Sequence, residues 1–178
     1  MNLRALLLSA LLLAGPAHAR SLPDDHNKLL NTLHENGVQV WVNHPNQICG
    51  HNTIDGAYIV FRDTQNLVVC QDNYDLGNDY TIVSWTDNDL DTIRHEAFHV
   101  IQDCMVGETD DYTLDTVFVS TEEVVVHLGI EEAQRIYTTY AMRGGDEQVI
   151  RLELEAFYAA RFMSASEIEQ TYNKYCVK

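Results

Sequence analysis

Basic residues are scarce in this chain of 178 residues. Only 11 Lys and Arg stand against 27 Asp and Glu, which gives a formal net charge of −16 at pH 7. So acidic a surface opposes binding to nucleic acid and to anionic membranes, because both of these partners are polyanions. If the charge attracts any partner, it favours cationic peptides. The sequence also contains no internal repeat and no low-complexity stretch.

Long apolar runs are equally absent beyond residue 19. The one notable run, Ala5 to Gly15, is too short to cross a bilayer as a stable anchor. A basic start precedes it and Ala17-His18-Ala19 follows it, which is the order of a secretory signal peptide. We predict a signal peptide at residues 1–19 and a single domain at residues 20–178, secreted or periplasmic and without membrane contact after cleavage.

Closely spaced cysteine pairs are missing as well, which argues against a zinc site made of four thiolates. Four cysteines are present: Cys49, Cys70, Cys104 and Cys176. An even number in an exported chain predicts two disulfides, for which three connectivities are possible. We favour Cys49–Cys70, which would join the entry of a predicted hairpin to its second strand. Cys104–Cys176 would then join a predicted central helix to the C-terminus.

The central helix is predicted from Asp87 to Met105. Its apolar residues recur at steps of three and four, as in a half-buried helix: Leu90, Ile93, Ala97, Val100, Ile101 and Cys104. Within it lies His95-Glu96-Ala97-Phe98-His99, an H-E-x-x-H sequence. Residues i and i+4 share one helix face, so His95 and His99 can bind one metal ion. Glu96 then lies close enough to act on a water bound to that metal.

The remaining patterns predict an α+β fold, with a small N-terminal β-sheet followed by a mainly helical region. A helix is predicted at residues 24–35, and strands are predicted at 38–42, 57–61, 67–71 and 81–85, with a hairpin turn at 62–66. Further helices are predicted near residues 121–128, 131–142 and 146–163, and a last one begins at a capping box formed by Ser164 and Glu167.

The pentapeptide, its helix and the strand predicted before it resemble a small zincin metallopeptidase, over about residues 81–160. This resemblance implies a Zn²⁺ cofactor and a peptide or protein substrate. It also implies that Glu96 is the general base acting on a zinc-bound water. A non-catalytic, zinc-stabilised binding or inhibitory protein on the same scaffold is the alternative. Cleavage specificity and oligomeric state have no signal in the sequence.

A catalytic zinc usually has three protein ligands, so one ligand remains to be found. The metzincin pattern fails, because Gln102 and Met105 stand where its glycine and histidine would be. The E-x-E-A sequence within residues 151–160 resembles the third-ligand helix of gluzincin-like peptidases. On this resemblance Glu155 is the predicted ligand and Glu153 the alternative. The two lie about 200° apart around a helix, so only one of them can face the metal.

Asp110 is the second choice of ligand, because Gly107-Glu108-Thr109-Asp110 resembles the aspzincin G-T-x-D segment with one extra residue. His127 is a more remote third candidate. A donor to the developing oxyanion is also required, and the candidates are Tyr158, Tyr112 and His127. Ligand histidines usually donate their other N–H to an oxygen, for which Asp91 and Asp103 are candidates.

Overall fold

A computed structural model describes residues 20–44, 48–49, 55–61, 63–74, 81–107, 113–118 and 120–177. It confirms the α+β class, with a small sheet and a larger helical part. The strands are β1 (Gln39–Val42), β2 (Gly56–Phe61) and β3 (Thr64–Val69). The helices are α1 (Asp24–Glu35), α2 (Asp87–Val106), α3 (Thr121–Leu128), α4 (Ile130–Met142), α5 (Glu147–Phe162) and α6 (Ala165–Tyr175).

The described sheet has the strand order β1-β3-β2, with β1 parallel and β2 antiparallel to β3. The predicted hairpin is confirmed, but pairing begins at Phe61 and Thr64, so residues 64–66 belong to β3 and not to the turn. Asp63 has φ of 62°, a left-handed conformation that Asp tolerates better than most residues and that suits a short turn. This topology leaves β2 at an edge of the sheet.

The segment 81–85, predicted as a strand, forms no strand. Gln71 accepts the backbone N–H of Val83 at 2.8 Å and donates its own amide to the carbonyl of Val83 at 3.0 Å. Asn43 donates to the carbonyl of Thr81 at 2.8 Å. The prediction is wrong because these two side chains satisfy backbone groups that a neighbouring strand would otherwise have paired.

Helix α2 lies at the centre of the fold and packs against β2, β3, α5 and α6. Thr86 and Asp89 form a reciprocal capping box at its start, and Gly107 ends it in a left-handed conformation with φ of 81°. Ile93, Ala97 and several other side chains of α2 are fully buried in the main hydrophobic cluster. The predicted apolar stripe is therefore the surface that fixes the orientation of α2, and with it the direction of the H-E-x-x-H side chains.

Two disulfides close the fold with the predicted connectivity. Cys49 pairs with Cys70, and Cys104 near the end of α2 pairs with Cys176 after α6. In the described part of the chain, no helix is long and apolar enough to cross a membrane. The predicted signal peptide at residues 1–19 lies outside the described residues.

Candidate metal centre

The two histidines of the pentapeptide converge as their spacing predicts. The Nε2 atoms of His95 and His99 lie 3.1 Å apart, and their rings meet edge to face. Only 12% and 11% of these side chains is exposed. One helical turn of α2 therefore presents two ring nitrogens toward a single, sheltered point.

Glu153 on α5 completes this group. One of its carboxylate oxygens, Oε2, lies 3.2 Å from Nε2 of His95, and the other lies 3.7 Å from Nε2 of His99. The ligand atoms of the three residues all lie within 4.8 Å of one another, so they could hold one metal ion. We call His95, His99 and Glu153 the metal triad.

The metal triad fits zinc in its spacing, its burial and its ligand types. Ligand atoms about 2.0–2.2 Å from a tetrahedral zinc stand roughly 3.3–3.6 Å apart. The two histidine nitrogens are 3.1 Å apart, and with one oxygen of Glu153 all three ligand atoms lie within 4.8 Å of one another, so small side-chain adjustments would bring them to this spacing. Oε2 of Glu153 is buried and has no hydrogen-bond partner among the described residues. A buried acceptor without a partner is costly, and a cation at this position would satisfy it. Two imidazoles and a carboxylate are also ligand types found together in catalytic zinc sites.

Glu155, the ligand chosen from the sequence, does not join the histidines. Its carboxylate accepts the backbone N–H groups of Val117 at 2.8 Å and Phe118 at 3.0 Å, and the side-chain amide of Gln102 at 3.1 Å. Burial raises the pKa of Glu155, and these three hydrogen bonds act in the opposite direction. Both glutamates reach side chains of α2, but α5 turns Glu153 toward the two histidines and Glu155 toward Gln102.

Gln102 connects the metal triad to Glu155 and was not recognised from the sequence. Its Oε1 lies 2.7 Å from Nδ1 of His99, and its Nε2 donates to Glu155 and to the carbonyl of Leu152 at 3.0 Å. Because both protons of its amide group are donated, Oε1 is left to accept from His99. The proton of His99 is thereby fixed on Nδ1, and Nε2 is free to bind metal. The signal was available, since Gln102 is three residues after His99 on the same helix.

Glu96 is buried beside the triad, with 7% of its surface exposed. Burial raises the pKa of Glu96 to about 7, although the charge of His95 and the backbone N–H of Tyr58 act to lower it. Strand β2 approaches this region very closely. A Cβ atom at Gly56 would lie 2.6 Å from Cγ2 of Thr92 and 3.0 Å from Cγ of Glu96. Only glycine lets the edge strand lie this close to the proposed base.

A cavity of about 420 Å³ opens onto His95 and Glu96. Tyr140 of α4 and Phe157 of α5 also line it. The ring of Phe157 contacts the ring of His95, with the centroids 4.6 Å apart. Burial would raise the pKa of Glu153, but the two histidines and the hydroxyl of Tyr140 outweigh it, so the pKa is lowered and the carboxylate stays charged. The cavity thus joins His95 and Glu96 to an aromatic wall that sequence patterns did not indicate.

The other candidates from the sequence lie away from this group or outside the described residues. Asp110 and Tyr112 fall outside them. His127 and Tyr158 contact each other, with ring centroids 5.6 Å apart, and neither lines the cavity. Asp91 does line the cavity, but its carboxylate pairs with Arg94 and not with a histidine.

Asp103 is buried beneath the sheet instead of supporting a histidine. It accepts the hydroxyl of Tyr58 at 2.6 Å and the amide of Gln65 at 2.5 Å. Its bonds tie α2 to β2 and β3, so its role in the described structure is to hold the sheet against the helix. Gln102, one residue earlier, takes the place that Asp103 was predicted to fill beside His99.

Comparison of the chain with protein-family models, with curated proteins and with solved structures finds no match. The assignment of a function therefore depends on the chemistry of the site itself.

Proposed function

We propose that this chain is an exported zinc-dependent peptidase in which Glu96 is the general base. The observation that carries the proposal is that His95, His99 and Glu153 converge from two helices while Glu96 lies beside them at a cavity. An isolated H-E-x-x-H sequence supplies only two ligands. The third carboxylate, with its unpartnered oxygen, makes the group a coherent metal site.

His95, His99 and Glu153 would hold the zinc, which supplies Lewis acidity toward a water and a carbonyl oxygen. The protein residues divide the remaining work. Glu96 takes the proton of the attacking water and later donates it to the leaving amine. Burial raises the pKa of Glu96 in the metal-free protein, and a zinc ion beside it would lower this pKa, so that the carboxylate is ready to act as the base. Tyr140, whose hydroxyl interacts with the carboxylate of Glu153 at the cavity, would turn this hydroxyl to the developing oxyanion once Glu153 holds the metal.

A peptide is the substrate class that the geometry supports best. The cavity is lined at Gly56, where the edge strand β2 begins. An edge strand can receive an extended peptide as a further strand, although the backbone N–H of Tyr58 in β2 already bonds Glu96. The two disulfides are consistent with an oxidising compartment, as export would require.

Replacement of the base tests the proposal. We expect purified protein to bind one zinc ion and to cleave members of a peptide library. Glu96→Gln should keep the zinc and lose at least a hundredfold in kcat, because the base contributes at least that factor. Glu169→Gln is the matched control, since Glu169 is a buried glutamate on α6 paired with Lys28.

Two results would contradict the proposal. Protein that neither contains nor takes up zinc would exclude the metal centre. Zinc-loaded protein that cleaves no peptide would instead favour the non-catalytic binding protein, which shares the site but has no turnover.

A further inference from the structure

The scarcity of positive charge makes its distribution informative. Of the 11 basic residues in the chain, three line the cavity that opens onto His95 and Glu96: Arg135 and Arg143 from α4 and the turn after it, and Arg161 from α5. In so acidic a chain, this side of the cavity stands out from the expected surface.

Arg135 and Arg161 share a single carboxylate. Glu132 accepts from Arg135 at 2.7 Å and from Arg161 at 3.1 Å. One negative charge thus faces two positive charges, and positive charge is left over. The guanidinium of Arg135 also lies 5.6 Å from the ring centroid of Phe157, the same ring that contacts His95. Only one aromatic ring therefore separates this charge from a residue of the metal triad.

Arg143 has no ion-pair partner among the residues that the structure describes. Its guanidinium lies 5.8 Å from the ring centroid of Tyr140. Tyr140 in turn interacts with the carboxylate of Glu153. Arg143 is therefore also one aromatic ring away from the triad, and it is the arginine most available to a ligand.

Carboxylates line the cavity as well. Asp91 of α2 and Asp55, the residue before β2, are part of its wall, and Asp91 is paired with Arg94. A bound peptide would thus meet both carboxylates and guanidiniums in this cavity. The net charge of the chain favours cationic partners, but the local charge on the arginine side of this cavity is positive.

We propose that the arginine side of the cavity binds a carboxylate of the substrate, with Arg143 as its main partner. This inference rests on the proposed function and names the substrate class of the same site. The carboxylate is an acidic side chain or the C-terminal carboxylate of a short peptide, because a guanidinium recognises both through the same paired hydrogen bonds.

Binding of peptide hydroxamates to zinc-loaded protein tests this inference without requiring turnover. The hydroxamate, attached at the amino end of the peptide, binds the zinc and leaves the C-terminus free to be an amide or a carboxylate. Three series are compared: amidated peptides with Glu at each of the three nearest positions, the same peptides with Gln, and the Gln peptides with a free C-terminal carboxylate. Dissociation constants are measured by calorimetry at low and high salt.

We expect Glu to bind about tenfold more tightly than Gln at one position, or the free carboxylate to bind about tenfold more tightly than the amide. The peptide series that shows the preference identifies the carboxylate as a side chain or as the C-terminus. Arg143→Gln should reduce this preference to about threefold or less, and Arg143→Glu should abolish it. Lys174→Gln, which removes an exposed charge on α6, is the matched control and should leave the preference intact. High salt should weaken it.

Equal affinity for all three series in the wild-type protein would overturn the inference, as would a preference that Arg143→Gln leaves unchanged. These outcomes are separate from failure of the proposed function. Zinc-loaded protein that shows the carboxylate preference but cleaves no peptide would retain this binding site while excluding the peptidase. Absence of zinc binding would overturn both.

Discussion

Replacing each of the two glutamates on α5 in turn gives the sharpest prediction. Glu153 and Glu155 are two residues apart, and they differ in what their carboxylates contact. Glu153 faces the histidines with an unpartnered oxygen, whereas Glu155 accepts three hydrogen bonds. Loss of the Glu153 carboxylate should therefore weaken zinc binding, and loss of the Glu155 carboxylate should mainly lower the stability of the fold.

The expected magnitudes follow from these contacts. Structural zinc sites with four ligands bind with about 10–16 kcal/mol, so one ligand contributes about 3 kcal/mol, and Glu153→Ala should weaken zinc binding by a hundredfold or more. Glu155→Gln replaces one acceptor oxygen by an NH₂ group that faces a backbone N–H of residue 117 or 118. An unsatisfied buried donor costs about 1–3 kcal/mol of unfolding free energy. The effect on zinc, transmitted through Gln102, should be about tenfold.

Two measurements on each variant separate these effects. Competition with a chelator of known affinity gives the zinc dissociation constant, and urea unfolding of the metal-free protein gives the stability. Removal of Glu153 should cost the metal-free protein only modest stability at neutral pH, because the interactions with the two histidines and Tyr140 that hold the pKa of this carboxylate below its ordinary value are lost. If Glu155→Gln abolishes zinc binding while Glu153→Ala leaves it unchanged, the assignment of the metal triad is refuted.

Three further predictions concern residues around the site. Gln102→Leu should weaken zinc binding about 10- to 100-fold, measured by the same competition, because His99 loses the acceptor that fixes its proton; an unchanged affinity would rule out this role. Gly56→Ala should lower the melting temperature by about 3–10 °C, since its Cβ must displace a neighbouring side chain, and unaltered melting would show that the strand can shift freely. Replacing Cys104 and Cys176 together by Ala should cost about 4 kcal/mol in urea unfolding, because their disulfide closes a separation of 72 residues; a loss below about 1 kcal/mol would contradict this estimate.

The elements whose signals are local could be predicted from the sequence. The helix 87–105 is encoded by its apolar spacing, and the convergence of His95 and His99 follows from the helical repeat alone. The capping box of Ser164 and Glu167 is equally local, and α6 starts where it indicates. In each case the residues that decide the structure lie within one or two turns of one another.

Which glutamate meets the two histidines could not be predicted, because it depends on which face of α5 packs against them. The E-x-E-A resemblance indicated the helix that carries this glutamate and left two glutamates on different faces. Phe157 and Ala160, four and seven residues after Glu153, line the same cavity, so one stripe of α5 forms the wall. The sequence does not mark this stripe by a change from polar to apolar residues, because Glu155, on a different face of α5, is buried as well.

The erroneous strand at residues 81–85 has a similar physical origin. A β-branched pattern indicates how side chains alternate, but it does not indicate which groups form hydrogen bonds with the backbone. Here Asn43 and Gln71, which are distant in sequence, provide the hydrogen bonds. The segment still leads directly into α2, and so the order of elements that positions the pentapeptide is preserved.

Glu96 and Glu153 are also the residues whose placement argues most strongly for a functional site. Among the described residues Oδ1 of Asp103 is also buried without a partner, but only the oxygen of Glu153 lies beside two histidine nitrogens and near a second buried carboxyl group, that of Glu96, whose pKa is raised to about 7. Glu155 shows that the same helix can bury a glutamate with its hydrogen bonds satisfied. Within a single turn of α5, the glutamate with the unsatisfied oxygen is thus the one beside the two histidines. A divalent cation at this position would compensate the charge of its carboxylate.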